Sequence, residues 1–401
     1  MYARILVALD GSDVSLAGGD YALELAQHLG SEIIAVHIYD AGLHSVRFRE
    51  MEPVLPTEYQ QESTLFELRD SHNDLIHDGF VSLSRGYMEN YVRKAREQGI
   101  PVREIHREGR NYIELLSLAR EEKVDLIVLG AWGLGVVDNR LIGSTALRVL
   151  RNADCDVLIA RSGGIGERIT VGIDGSDNAL EALRKAIMWA RVFHATTTIA
   201  AAYDPQFHTA IFKTMASSLS QERQEDIGLA KQEDLHDQII DDGLGRLYET
   251  FLETAEKRCK THGIQSNTSL LKGKAYHALT DFIKEHSIGL AVVGRHGHHH
   301  TPDAMIGSNT EALAHTAPCS VLITRPLSEP AQNNVTLDNS MAWEDEAKAR
   351  LERIPAFARP MARNAIEQSV ATEGRFTVTL KDFLDMAQRA GMGGIEEPAD
   401  E

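Results

Sequence analysis

Shifting the chain by 164 residues lays its first part on its second without a gap, and this repeat limits the possible folds more than any other feature. The shift places Asp10-Gly11-Ser12-Asp13 on Asp174-Gly175-Ser176-Asp177, Gly99-Ile100 on Gly263-Ile264, Gly109 on Gly273 and Cys155 on Cys319. One folding unit has been copied, so a reading made in one half can be checked in the other. Each unit opens with an apolar run, Ile5 to Leu9 and Ile169 to Ile173, stopped by Asp-Gly-Ser. Such a run reads as a buried strand entering a turn. A helix follows, with small and apolar residues at helical spacing through Ala22, Leu25 and Ala26, and through Leu183, Ala186, Ile187 and Ala190. Further strands are expected at Ile33 to Tyr39, Val102 to His106, Asp125 to Leu129 and Val157 to Ala160, with helices between them. Strands alternating with helices predict an α/β fold: two tandem, doubly wound, parallel-sheet domains, at residues 1–163 and 164–326.

The long connections at residues 40–78 and 204–242 interrupt this pattern and are strongly acidic. A solvated face or lid is the expected reading of such charge runs. Asp70, His72 and Asp78, repeated as Asp234, His236 and Asp242, have donor chemistry for a metal but serve equally as helix caps, and no metal site is assigned.

At 401 residues and 43% hydrophobic, the chain can bury a core in each of two or three domains, which argues against disorder. A formal net charge of -18 repels phosphate backbones and anionic lipid, so neither nucleic acid nor membrane is an expected partner. Cys155, Cys259 and Cys319 are widely spaced, with no C-x-x-C pair. A reducing cytoplasm fits them better than a disulfide framework or a metal-thiolate centre. No apolar run has the length of a signal peptide or a membrane span.

The chemistry is carried by Gly130-x2-Gly133-x9-Gly143-Ser144-Thr145, which follows an apolar strand, and by its copy Gly294-x2-Gly297-x9-Gly307-Ser308-Asn309. Glycines at the carboxyl end of a parallel strand let the backbone approach a ligand, and open α/β sheets bind ligands at that edge. The helix that begins at Gly143-Ser144 would turn free N–H groups and hydroxyls toward an anion. No Lys follows Gly143 or Gly307, so neither loop is of the Walker type, and G-x-G-x-x-G is absent after the first strand. Asp10 and Asp174 end the first strands at the same edge, where a carboxylate can accept from a ribose hydroxyl or cap the next helix. Arg140 in the first loop, and Arg110 and Lys274 after the third strands, are candidate counter-charges. His296, His298, His299 and His300 crowd the second loop, where exposed loop residues are favoured over a metal site.

An aspartate after the first strand, with G-x2-G-x9-G-[ST] after the fourth, resembles the ATP-binding branch of the universal stress protein family, in its tandem form. The resemblance implies five parallel strands per domain in a Rossmann-like fold of the adenine nucleotide alpha hydrolase type. It also implies pairing through the last strands, here Val157 to Ala160 and Val321 to Thr324, giving an intrachain pseudo-dimer, with a homodimer of four domains also compatible. Carried over by position, Asp10 meets the adenosine and the backbone beside Ile38 meets the adenine, while Gly130, Gly133, Gly143, Ser144 and Thr145 hold phosphates. The second set is Asp174, Ala202, Gly294, Gly297, Gly307, Ser308 and Asn309. Bulky Trp132 inside the first loop, and Asn309 in place of a hydroxyl, depart from the family pattern.

After a polar linker at 327–340, residues 341–392 suggest a small helical domain and 393–401 a disordered terminus. Thr379 is placed to cap a helix through Phe383 and Ala387, with Asp382 completing a capping box. This tail resembles the small C-terminal domain of the light-independent protochlorophyllide reductase B subunit, without the rest of that enzyme, and reads as a docking or oligomerisation element. The expectation for the whole chain is a cytoplasmic protein that binds ATP, with or without magnesium, as a stress or regulatory sensor with an unidentified protein partner. No paired base and nucleophile defines a fast reaction and no catalytic residue is assigned. A slow ATPase or nucleotidyl-transfer enzyme, and a scaffold with degenerate sites, are the alternatives.

Overall fold

A computed structural model describes residues 2–134, 142–204, 218, 242–298, 304–325, 342–354, 359–372 and 377–389. The chain forms two compact units, Met1–Leu327 and Ser328–Glu401. The larger holds both repeats.

In the first repeat, β1 (Arg4–Ala8), β2 (Glu32–Tyr39), β3 (Val102–Glu108), β4 (Leu126–Gly130) and β5 (Asp156–Ala160) alternate with helices. These are α1 (Asp13–Leu29), α2 (Ala41–Met51), α3 (Glu62–Glu97), α4 (Asn111–Glu121) and α5 (Ser144–Asn152). The second repeat has β6 (Arg168–Ile173), α6 (Asp177–Val192), β7 (Thr196–Tyr203), α7 (Asp242–Thr261), β8 (Ser266–Lys272), α8 (Ala275–Glu285), β9 (Leu290–Val293), α9 (Ser308–Thr316) and β10 (Ser320–Ile323). Each half is parallel, and the halves join into one ten-stranded sheet ordered β3-β2-β1-β4-β5-β10-β9-β6-β7-β8. The β5–β10 pair is antiparallel, with Leu158 opposite Leu322. This is the pairing through last strands that the family resemblance implied, and it buries an edge of each half-sheet.

Central strands are covered on both faces, which is why they read as unbroken apolar runs. One core joins the sheet to α1, α3, α6 and α7, the other joins it to α4, α5, α8 and α9, and both run through the two halves. Local signals set the helix ends. Ser12 and Ser176 accept from the backbone N–H groups of Ser15 and Ala179, both at 3.2 Å, and Gly30 ends α1 in the left-handed region at φ 69°.

The 40–78 connection is as solvated as its acidic sequence suggests, and it has regular structure. It is helical, with α2 followed by two 3-10 turns and then the first turns of α3, whose 36 residues span roughly 54 Å. Arg69 clamps Glu52 across the α2–α3 arm at 2.5 and 2.6 Å, and His72 stacks on Phe48 at 4.5 Å. Helicity there was hidden because the arm buries little: Phe66 and Leu75 are 67% and 70% exposed, so no apolar stripe marks the period. The matching insertion, apart from Asp204, Ser218 and Asp242, lies outside the described residues, and so do Asp234 and His236.

The smaller unit has β11 (Ala342–Trp343), α10 (Asp345–Arg353), α11 (Arg359–Thr372), β12 (Thr377–Val378) and α12 (Leu380–Arg389), with β11 and β12 parallel. Its core is Trp343, Ala347, Ile366, Val370, Val378 and Phe383. The capping box at α12 is present: Asp382 accepts from the Thr379 N–H and hydroxyl, both at 2.8 Å, while the Asp382 N–H donates to Thr379 Oγ1 at 3.3 Å. The two-strand ribbon was not expected, being too short to leave a period. The linker and the terminus lie outside the described residues. No helix among the described residues is long and apolar enough to cross a membrane.

Candidate functional site

In each half the strand order reverses between the first strand and the fourth, β1 beside β4 and β6 beside β9. Open α/β sheets form their ligand crevice at such a switch point, beyond the carboxyl ends of the strands. A hollow lies there in each half.

The first hollow, about 280 Å³, is lined by Asp10, Ile38, Gly130, Gly133, Gly143, Ser144 and Thr145, the seven residues picked out in that half. The second, about 680 Å³, is lined by Asp174, Ala202, Gly294, Gly297, Gly307, Ser308 and Asn309. Positions scattered over more than a hundred residues thus meet at one point in both repeats. His296 and His298 also line the second hollow, and His296, expected as an exposed loop residue, is instead buried against it; His299, His300 and Arg140 lie outside the described residues. Arg110 and Lys274 are exposed at the starts of α4 and α8 and do not line the hollows. Among the described residues no Lys or Arg lines either hollow, and no group of three metal-ligating side chains occurs.

The aspartates are held in the same way. Asp10 Oδ1 accepts from the Ser12 N–H at 3.0 Å and the Ser12 hydroxyl at 2.6 Å, and Asp174 Oδ1 accepts from Ser176 at the same two distances. The helix cap is therefore the serine, and the aspartate braces it. The other oxygen faces the glycine loop: a Cβ on Gly133 would lie 2.8 Å from Asp10 Oδ2, and one on Gly297 would lie 2.6 Å from Asp174 Oδ2. A larger residue would have to displace the carboxylate. The His298 N–H donates to Asp174 Oδ2 at 3.0 Å.

The helices α5 and α9 begin at Ser144 and Ser308 after extended Gly143 and Gly307, and neither N-terminus carries a side-chain cap. Their first-turn N–H groups have no intrahelical acceptor and suit an anion, helped by the helix dipole. Their other ends are capped from across the molecule. Buried Arg295 donates to the carbonyls of Leu150 and Arg151 at 2.8 and 3.3 Å, and buried Arg161 donates to those of Ala314 and His315 at 3.0 and 3.4 Å. Burial lowers the pKa of both guanidinium groups. These arginines were not singled out in the sequence, where nothing local marks them.

His37, beside Ile38, lines the first hollow with its Nδ1 2.6 Å from the Leu9 carbonyl, and burial holds its pKa below the ordinary histidine value. Tyr248 lines the second hollow, its pKa raised by burial and by Asp174.

A duplicated Rossmann-like α/β protein, with a glycine-loop hollow at the carboxyl edge of each half, is the class these features define. The chain belongs to the universal stress protein family, whose pattern matches residues 1–161 and 166–325. Residues 343–386 match the proto-chlorophyllide reductase 57 kD subunit family. The universal stress protein YxiE of Bacillus subtilis is 30% identical over 161 residues, covering 40% of this chain and all of that relative. A universal stress protein from Archaeoglobus fulgidus DSM 4304, of known crystal structure, matches 80% of this chain and 98% of its own, with TM-score 0.51 and 16% identity. One half is also similar to a universal stress protein crystallised in complex with cAMP, at 24% identity and TM-score 0.27, over 40% of this chain and 98% of that one.

Proposed function

We propose that the chain binds an adenine nucleotide, ATP with magnesium, and acts as a stress-response or regulatory sensor in the cytoplasm. The observation that carries this reading is the convergence, in both halves, of aspartate, glycine loop and uncapped helix N-terminus on one hollow. In this reading Asp10 or Asp174 accepts from ribose through Oδ2, the base lies along the strand backbone at Ile38 or Ala202, and the glycine loop gives the phosphates room. The first-turn amides with Ser144 and Thr145, or Ser308 and Asn309, donate to phosphate oxygens. Among the described residues no Lys or Arg lines the walls, so magnesium would supply positive charge to the triphosphate.

A fast catalyst needs a base within reach of its nucleophile. The Asp10 and Asp174 carboxylates are instead occupied in bracing a turn, and binding is the role that fits them. The test is mass spectrometry of small molecules released from gently purified protein, with melting curves taken with and without ATP. An adenine nucleotide in the extract and a raised melting temperature are expected. A protein free of nucleotide and unmoved by ATP would leave only a scaffold role.

A further inference from the structure

We infer that the two hollows are not equivalent: the nucleotide is held by the second half, around Asp174 and Gly297, while Trp132 and Ile38 close the first hollow to it. This rests on the nucleotide reading above and assigns it to one half.

Pockets that enclose a drug-sized ligand run from about 300 to 1,000 Å³. The second hollow, at about 680 Å³, falls inside that range, and the first, at about 280 Å³, falls below it. The cause can be read by superimposing the repeats. Ala202 stands where the first half has Ile38, and His296 where it has Trp132, so two walls recede in the second hollow. The second hollow also has Tyr248 on its wall, where the first half has Ser84, which is fully buried and bonded to His106. A tyrosine there offers a nucleobase an aromatic surface.

Trp132 is not a flap that a ligand could push aside at little cost. The Arg161 guanidinium lies over its ring at 5.2 Å. Arg161 is itself only 4% exposed and is tied to the Ala314 and His315 carbonyls of the other half. The matching arginine of the second half, Arg325, is exposed, and the residue equivalent to Trp132 is the smaller His296. The indole thus rests against a cation that cannot move without uncapping α9.

The test is the number of ATP molecules bound per full-length chain, by calorimetric titration and native mass spectrometry in magnesium buffer, on three proteins checked for folding by circular dichroism. The unaltered chain binds one. Ala202→Ile with His296→Trp, which copies the first hollow into the second, lowers affinity at least tenfold. Ile38→Ala with Trp132→His, which copies the second into the first, raises the count to two. Two molecules on the unaltered chain would overturn the assignment while supporting nucleotide binding, and none would overturn nucleotide binding itself. One molecule that survives Ala202→Ile with His296→Trp would move the site to the first half and overturn the assignment. Should that variant fail to fold, the other decides, because a count that stays at one after the first hollow is opened also overturns it.

Discussion

Replacing Lys185 by methionine is expected to destabilise the larger unit more than any surface substitution, because it leaves a carboxylate stranded where the halves meet. Lys185 Nζ lies 2.6 Å from Asp156 Oδ2, with the two side chains 5% and 0% exposed. Asp156 belongs to the first half and Lys185 to the second. The Tyr2 hydroxyl and the Arg325 N–H also donate to Asp156, each at 2.8 Å, and the ammonium sits 4.3 Å from the Tyr2 ring centroid. At the 2.6 Å of the ion pair the gross attraction is about 6 kcal/mol for an effective dielectric constant of about 20. Desolvating two ions offsets most of it, so the intact pair adds little net stability. Removing one partner recovers none of the desolvation cost of the other, and the loss is about 3 to 5 kcal/mol. The repeat supplies the control: Tyr21 and Ser320 occupy the positions equivalent to Lys185 and Asp156, so a neutral arrangement already fits the fold. Urea unfolding of Lys185→Tyr, Asp156→Ser and the double variant should show each single change costing about 3 kcal/mol or more, and the double costing well under their sum. Single losses below about 1 kcal/mol, as for an exposed ion pair, would refute the reasoning.

Three further outcomes are expected. Burial lowers the pKa of His37, so the folded state binds its proton less readily than the unfolded chain does; stability is complete above the unfolded value of about 6.5 and is lost as pH falls through it toward the depressed one. Melting temperatures between pH 7.5 and 5.5 should therefore fall less for His37→Ala, the residue that the second half carries as Ala201, and equal slopes would contradict this. The thiols of Cys155 and Cys319 are pushed up to about 12 by burial, so a chromogenic disulfide reagent at pH 8 should label them only in denaturant, and prompt labelling of the folded protein would show the sites to be open. A Cβ on Gly289 would lie 1.8 Å from the Ile165 carbonyl oxygen, so Gly289→Ala must displace backbone and should cost about 3 kcal/mol in denaturant titration, whereas a neutral result would show that the turn after β5 yields freely.

The sheet was legible in the sequence because strands buried on both faces are written as continuous apolar runs. Ile33 to Tyr39 became Glu32–Tyr39, and Val157 to Ala160 became Asp156–Ala160. The site positions were legible for another reason: glycines and aspartates tied to backbone geometry recur at one spacing in both copies. What the sequence concealed depends on contacts between the copies. Asp156 and Lys185 look like ordinary surface charges until the antiparallel pairing of β5 with β10 buries them. The first turns of α3 carried no apolar period because they pack on little besides α2. The departure at Trp132 could be seen in the chain, but its consequence could not, since the guanidinium that holds the indole is fixed by carbonyls about 150 residues further on.

The cross-caps explain why two copies in one chain are more than two copies side by side. The carbonyls that accept from the buried arginines are equivalent in the repeat, Leu150 and Arg151 in one half, Ala314 and His315 in the other. The donors are not equivalent, because Arg295 matches Ala131 and Arg161 matches exposed Arg325. Each half has thus reached by a different residue the same physical end, a cation at the negative end of its neighbour's helix. Those are the two helices whose free ends face the hollows. Neither hollow is therefore built by one half alone, and a substitution at Arg161 bears on the indole of the first hollow and on the helix of the second. Divergence between the copies, in Trp132 against His296 and in Asp156–Lys185 against Ser320 and Tyr21, has proceeded within that shared frame. Fixed partners allow it, since a half that always meets the same neighbour can lose the symmetry that pairing with an identical copy would require.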